Sequence, residues 1–286
     1  MPTPPVDVPV DPTGQLIMTV AVLCGLAAVA VGGLRMCRSR GSAAPMIMLG
    51  GSLLAGFIEP LYCNAFHLWY YSVGQWSMYS TMGISQPVWS WLSYCPFYGG
   101  LTLLVWARID KGAARRDVGR MAALLVAIGI VTEIVCITLG TYEYYGPHPF
   151  RVLNFPLWIA VANAVVGMVS GILAARLGPL LPGPRVWAYV ALVPATMTMV
   201  QFGTGFLALD AINATNPPTW LLYGTATISM ALAATVAMAA LRLVPARARA
   251  GATDAGTGSG PAAGNGSLNG SGAGAGTGSG AHAVSG

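Results

Sequence analysis

Charged side chains are scarce in this chain, and their scarcity excludes an ordinary soluble fold. Only 8% of the 286 residues are charged and 55% are hydrophobic, whereas about 25% of the residues of a typical soluble domain are charged. A soluble protein of this length needs a charged surface that these residues cannot make. The composition therefore predicts that lipid is the solvent for most of the chain.

Several catalytic and binding motifs are missing as well. The five cysteines show no CxxC or CxxCH spacing, so no zinc ribbon, thioredoxin motif or haem attachment is present. There is no Gly-rich phosphate loop and no HExxH helix. The only lysine, Lys111, lies between apolar segments, which excludes a retinal Schiff base. His67 and His148 alone make a weak metal site. We predict neither a metal nor a cofactor.

Long apolar stretches are what the sequence has in abundance. Seven of them reach the length of about 20 residues that a helix needs to cross the hydrocarbon layer. They predict an all-α, polytopic bundle of about seven transmembrane helices, near residues 15–34, 44–62, 87–107, 120–140, 154–175, 186–208 and 219–242.

The basic residues predict the orientation of this bundle. Thirteen of the 14 Lys and Arg residues fall in alternate connections and after the last span, and only Arg151 falls on the other side. By the positive-inside rule the N-terminus is outside and the C-terminus is cytoplasmic. These basic residues do not cluster with aromatics, so we expect no nucleic-acid partner. We expect a multi-pass protein of the cell membrane.

The two ends of the chain differ from its apolar middle. We predict a flexible N-terminal segment over 1–14 and a transmembrane domain over 15–245. Residues 246–286 are almost entirely small and polar apart from two arginines, and such a segment cannot bury enough apolar surface to offset its ordering entropy. We therefore predict a disordered cytoplasmic tail there.

Two carboxyl groups lie deep within predicted spans. Glu59 and Glu133 are each about 20 Å from the inner end of their span at roughly 1.5 Å per residue, and ionisable groups at such depth usually face a polar cavity. Pro60 removes a backbone donor and opens the helix beside Glu59. These features predict Glu59 and Glu133 as a catalytic pair or as cavity-lining groups.

Polar and aromatic residues follow each carboxyl group in the sequence. Asn64, His67 and Trp76 come after Glu59, and Tyr142 and Glu143 come after Glu133. We predict these five as substrate-binding residues, with a lipophilic small molecule as the partner beside membrane lipid. The simpler interpretations are an interfacial aromatic belt and a structured outer loop in which Glu143 pairs with Arg151. The oligomeric state stays open.

A protonated carboxyl group beside a carboxylate is an acid–base pair that needs no cofactor. Such a pair suits proton-driven cyclisation, dehydration or isomerisation. It suits a proton-coupled carrier or lipid-binding protein equally well, and buried carboxyl groups in a structural subunit can also serve only as interhelical hydrogen-bond partners. Composition does not separate these alternatives.

The two acidic segments carry a resemblance. The chain resembles the AveC-type spirocyclase family over approximately residues 45–240. The resembling parts are the stretch Phe57-Ile58-Glu59-Pro60-Leu61 with Asn64, the aromatic loop through Gln75-Trp76, the Pro87-Val88-Trp89 entry to the third span, and Glu133 with the later 139–146 turn. The resemblance implies a membrane-embedded cyclase or dehydratase that closes a hydroxylated, polyketide-like ketone. Glu59 stands where the family more often has aspartate before proline, so its side chain is one methylene longer.

Overall fold

A computed structural model describes residues 2–246 of the chain. In this part the chain is an all-α bundle with short strands at one end. The helices are α1 (Pro12–Arg40), α2 (Ala44–Ala55), α3 (Glu59–Ala65), α4 (Val88–Tyr94), α5 (Gly100–Asp110), α6 (Arg115–Thr138), α7 (Leu157–Leu177), α8 (Leu192–Asn213) and α9 (Thr219–Leu241). The predicted tail over 246–286 lies outside the described residues, except for Ala246.

Within the described residues, six helical segments are long and apolar enough to cross a membrane: Pro12–Arg40, Ala44–Ala65, Arg115–Thr138, Leu157–Leu180, Gly183–Asn213 and Thr219–Leu241. Residues 88–110 form a further helical segment, in which a π-helical turn at Cys95–Gly99 joins α4 to α5. The prediction of an all-α polytopic bundle is confirmed. The chain is a multi-pass membrane protein.

Burial in the bundle is typical of a protein surrounded by lipid. Most of α7 is buried, whereas α1 and α6 expose apolar side chains such as Leu16, Leu124 and Val131. Helix α7 packs against α5, α6, α8 and α9. Gly167 and Gly171 allow α5 to approach closely, because a Cβ atom at either position would meet Leu101 or Val105. Small residues at helix contacts are typical of membrane bundles.

Basic residues gather at one end of the bundle, which we call the basic end. Arg40 forms an ion pair with Asp110 and lies over the ring of Trp106, 4.6 Å from its centroid. Arg115 donates to the carbonyl of Val244 at 3.2 Å, and Arg176 donates to the carbonyl of Leu243. These contacts satisfy carbonyls at the end of the last helix.

The opposite end, which we call the loop end, is formed by residues 2–11, 66–87, 139–156 and 214–218. Three antiparallel strand pairs, which the sequence analysis did not predict, stiffen it: β1 (Leu68–Tyr70) with β4 (Tyr142–Tyr144), β2 (Ser77–Thr81) with β3 (Ile84–Pro87), and β5 (Arg151–Val152) with β6 (Phe155–Pro156). Met82 and Gly83 turn between β2 and β3 with positive φ at both positions, as two-residue hairpins require.

The segment before α1 packs along the loop end. The side chain of Asp11 caps α1 by accepting from the N–H of Gly14 at 2.7 Å. The N–H of Val10 donates to the carbonyl of Val73 at 3.0 Å, and Val10 is buried. The flexibility expected for residues 1–14 stays a prediction.

Candidate functional site

A cavity of about 320 Å³ opens inside the half of the bundle nearer the loop end. Its walls come from α1, α3, α4, α6, α7, α8, the π-helical turn and the β1–β4 pair. Most of the lining is apolar or aromatic, with a few polar groups, which is the usual character of a small-molecule site. The polar and ionisable side chains of the lining are Glu59, Tyr62, Tyr70, Ser90, Ser93, Tyr94, Tyr98, Thr132, Glu133, Tyr142, Tyr144, Asn163 and Gln201.

Glu59 lies on one side of this cavity and is buried. Its Oε1 accepts a hydrogen bond from the Tyr70 hydroxyl at 2.5 Å, and its Oε2 accepts one from the Tyr94 hydroxyl. The Tyr70 hydroxyl also contacts Ser90 Oγ at 2.6 Å, and Gln86 donates to that same Oγ at 3.1 Å. Both oxygens of Glu59 therefore have a phenol donor, as a carboxylate in an apolar medium requires.

Glu133 lines the same cavity, but only one of its two carboxyl oxygens has hydrogen-bond partners in the described part of the chain. Its Oε2 accepts from the Tyr142 hydroxyl at 2.5 Å and from the Tyr144 hydroxyl at 3.4 Å. Its Oε1 has no hydrogen-bond partner within residues 2–246, and the side chain is half-buried. Glu133 is thus the carboxyl group with an oxygen free to meet a substrate.

Strand pairing brings together the hydrogen-bond partners of the two acidic groups. Tyr70 pairs with Tyr142 in the register of β1 and β4, and their rings meet edge to face with centroids 5.4 Å apart. Trp89 contacts both rings. The partners of Glu59 and Glu133 are therefore neighbours on one face of a small sheet.

Two interruptions of regular helix shape the cavity. The chain passes from α2 to α3 through a 3-10 turn at Gly56–Ile58, and α3 then begins at Glu59 with Pro60 in its first turn. Pro96 lies in the π-helical turn, and Pro96, Phe97 and Tyr98 line the cavity. Single π-turns inside helices occur frequently at functional sites.

The structure places only one of the five other predicted site residues in the lining of the cavity. Tyr142 lines the cavity, but Asn64, His67, Trp76 and Glu143 do not. Asn64 is exposed and donates to the carbonyls of Pro60 and Met82, and Trp76 is half exposed at the loop end. The reason is helical phase: Asn64 lies on the face of α3 opposite Cys63 and Glu59, and Trp76 follows a turn that leads away from β1.

His67 and Glu143 take part in the architecture of the loop end. The His67 ring stacks on Tyr145 and its Nε2 lies 3.1 Å from Asn213 Oδ1. Burial lowers the pKa of His67. Glu143 accepts from the Tyr71 hydroxyl at 3.0 Å, and burial together with the charge of Glu143 raises the pKa of Tyr71 to about 12.

The pairing of Glu143 with Arg151 that the sequence suggested is wrong. Arg151 instead donates to the carbonyls of Tyr144 and Gly146, at 2.6 and 3.0 Å. The tight turn at Gly146 turns these carbonyls toward the guanidinium group. Within residues 2–246 no three His, Cys, Asp or Glu side chains lie close enough together to hold a metal ion.

Sequence reasoning missed several lining residues. Tyr70, Tyr94 and Tyr98 are buried and line the cavity, and none of them was predicted as a site residue. Asn163 and Gln201 were overlooked. The available signal was an amide side chain near the middle of each of two apolar spans, since such groups rarely face lipid.

No protein-family model, curated protein or solved structure matches the chain.

Proposed function

We propose that this protein is a membrane-embedded, cofactor-independent acid–base cyclase or dehydratase of the spirocyclase type, acting on a lipophilic hydroxylated substrate. The observation that carries the proposal is that Glu59 and Glu133 line one sheltered cavity. We expect the membrane to be the cell membrane, with the basic end facing the cytoplasm. The resemblance of the Glu59 and Glu133 segments to spirocyclases suggests a polyketide-like ketone.

The two carboxyl groups suit different parts of an acid–base reaction. Glu133 has a free oxygen, so in its protonated form it can donate to a substrate carbonyl. Glu59 is surrounded by phenol donors that stabilise its carboxylate, so it can accept a proton directly or through the Tyr94 hydroxyl. A protonated acid and a carboxylate in one cavity make the pair that such chemistry needs.

The proposed reaction closes a dihydroxy ketone in two steps. In the first, one hydroxyl oxygen bonds to the ketone carbon, Glu133 gives its proton to the ketone oxygen, and Glu59 takes the hydroxyl proton. In the second, Glu59 returns its proton to the new hemiketal hydroxyl, which leaves as water. The second substrate hydroxyl then bonds to the same carbon and its proton restores Glu133. One water is lost, and no group is oxidised or reduced.

Conversion of a simple precursor tests the proposal. The protein in nanodiscs is given 1,9-dihydroxynonan-5-one, and the spiroketal product is quantified by gas chromatography against protein-free nanodiscs at neutral pH. Glu133→Gln removes the proton donor, so its rate should fall by about 10²-fold or more. The Glu59→Gln variant should also lose most of the wild-type conversion rate. Asp210→Asn is a matched control, because Asp210 is exposed on α8 and does not line the cavity.

Three results would overturn the enzymatic proposal. The first is a wild-type rate no faster than that of protein-free nanodiscs, and the second is equal rates for wild type, Glu59→Gln and Glu133→Gln. The third is uptake of the unchanged ketone into proteoliposomes that depends on a pH gradient, with no product formed, since that is the behaviour of a carrier.

A further inference from the structure

A second polar group of side chains lines the cavity without touching either glutamate. We call Tyr98, Asn163 and Gln201 the amide cluster. The Tyr98 hydroxyl donates to Asn163 Oδ1 at 2.9 Å, and Gln201 Nε2 donates to the Tyr98 hydroxyl at 3.0 Å and to Asn163 Oδ1. The cluster joins the π-helical turn to α7 and α8, and its three side chains are all buried.

These internal bonds leave one donor and one acceptor of the cluster unpaired within the described chain. Asn163 Oδ1 accepts twice, but Asn163 Nδ2 makes no hydrogen bond. Gln201 Oε1 is buried without a partner, and Gln201 is only 3% exposed. An unpaired amide group in an apolar medium is destabilising, because it has lost its hydrogen bonds to water without gaining others. A group that accepts from Nδ2 and donates to Oε1 would satisfy both.

A hydroxyl group has that combination of properties. Its oxygen accepts while its hydrogen donates, whereas a ketone or ether oxygen can only accept and an ammonium group can only donate. A cavity bounded mostly by apolar and aromatic side chains makes such a paired contact selective, because a ligand without the hydroxyl leaves both amide groups unsatisfied.

The cluster lies deeper in the bundle than the acidic pair. Tyr98 is ten residues beyond the start of α4 at the loop end, which corresponds to about 15 Å of helix, whereas Glu133 is five residues from the end of α6, about 8 Å. The rings of Tyr94 and Tyr98 are in contact, with centroids 5.3 Å apart, so one tyrosine separates the cluster from Glu59. A ligand contacting both regions therefore extends about 7 Å along the helix axes.

We propose that the amide cluster is a hydroxyl-binding subsite, which takes a hydroxyl group several bonds away from the substrate carbon that reacts beside Glu133. The substrate class is then a ketone or ketal with a further hydroxyl group that is not consumed in the ring closure. This inference rests on the proposed function for one point, namely that the reacting carbon of the substrate lies beside Glu133. The binding contact itself depends only on the cavity.

Equilibrium binding of two probes that are already closed spiroketals tests the subsite. The probes are 1,7-dioxaspiro[5.5]undecane and its 4-hydroxy derivative, titrated by calorimetry into protein-loaded nanodiscs with subtraction of empty nanodiscs. The wild type should bind the hydroxylated probe about tenfold or more tightly than its parent. Gln201→Met and Asn163→Leu should reduce this ratio to about one while leaving affinity for the parent probe nearly unchanged.

Matched variants separate recognition from helix packing. Thr204→Val removes a buried hydroxyl one turn from Gln201 on α8, outside the cavity lining, and should retain the wild-type ratio. Tyr98→Phe keeps the ring but removes the hydroxyl that orients both amides, so it should lower the ratio partly. Melting temperatures of all variants are measured in the same nanodiscs.

The inference is overturned if the wild type binds both probes equally or neither of them. It is also overturned if Gln201→Met keeps the wild-type ratio, or if the cluster variants weaken both probes alike, which would indicate a purely structural cluster. Because neither probe is converted, these results are independent of the turnover measured for Glu59→Gln and Glu133→Gln. A protein that converts no ketone can still bind the hydroxylated probe more tightly than its parent. A protein that does convert the ketone can bind both probes equally.

Discussion

Tyr70 and Tyr142 lie directly opposite each other in the β1–β4 pair, and each donates its hydroxyl to a different glutamate of the cavity, at 2.5 Å in both cases. A three-residue strand pair at the loop end therefore positions both acidic groups. The strand register is essential to this arrangement, because a slip of one residue would turn one of the two tyrosines away from the cavity.

The Tyr142 hydroxyl should matter for both stability and turnover. Tyr142→Phe removes the shorter of the two hydrogen bonds to Glu133 and leaves an oxygen of this half-buried carboxyl group less satisfied, at a cost of about 1 kcal/mol. We expect a lower melting temperature and slower conversion of the dihydroxy ketone. Tyr145→Phe is the control, since the Tyr145 hydroxyl bonds to no described residue. Equal behaviour of the two variants would contradict the role of Tyr142.

His148 should make the protein sensitive to acid. Burial, followed by the charges of Arg151 and His67, lowers the pKa of His148 to about 3 from its ordinary value of 6.5. As the pH falls below 6.5, the His148 imidazole becomes protonated in the unfolded chain but stays neutral in the folded chain. The corresponding stability is fully present above pH 6.5 and lost progressively toward pH 3, by about 3 kcal/mol at pH 4.

Thermal melting in detergent at pH 7 and pH 4 measures this effect. The variant His148→Phe has no group to protonate there, so its melting temperature should fall less between the two pH values than that of the wild type. The difference between the two proteins isolates His148 from the carboxyl groups that titrate over the same range. An equal fall in both proteins would show that His148 is not the acid-sensitive group.

Gly171 should be intolerant of any side chain. A Cβ atom at this position would overlap Val105 and come within 2.9 Å of the Thr102 carbonyl oxygen, so Gly171→Ala must push α5 and α7 apart. Overpacking of this kind costs about 1–3 kcal/mol. Gly203→Ala on α8 meets no atom within 4 Å and should be neutral or slightly stabilising. Melting temperatures in nanodiscs compare the two; a similar effect of both would contradict the close helix contact.

The orientation of the bundle is testable by labelling. In a background without the five native cysteines, Ser80→Cys places a thiol at the exposed loop end and Ala246→Cys places one at the basic end. A membrane-impermeant maleimide should label the first variant in intact cells and the second only after permeabilisation, because basic connections stay in the cytoplasm. The reverse pattern would show that the loop end faces inward.

Some features of the site were readable from the sequence and others were not. A carboxyl group deep in an apolar span is itself a signal, because hydrocarbon cannot solvate it, and Glu59 and Glu133 were found in this way. Asn64 and Trp76 were chosen for nearness in sequence to Glu59. Nearness in sequence does not determine on which face of a helix or turn a side chain lies, and both residues point away from the cavity.

The sequence by itself determined the solvent and the gross architecture of this protein. Few charges and seven long apolar stretches indicate that lipid surrounds the chain. Because lipid offers no hydrogen-bond partners, the backbone satisfies its own N–H and C=O groups in helices. That inference needs only the composition of the chain and the lengths of its apolar stretches. The tertiary structure alone decided which polar side chains meet. Tyr94, Asn163 and Gln201 come from three separate helices, and their positions around the cavity with Glu59 and Glu133 depend on helix rotation, the π-helical turn and the β1–β4 register, none of which a local pattern encodes.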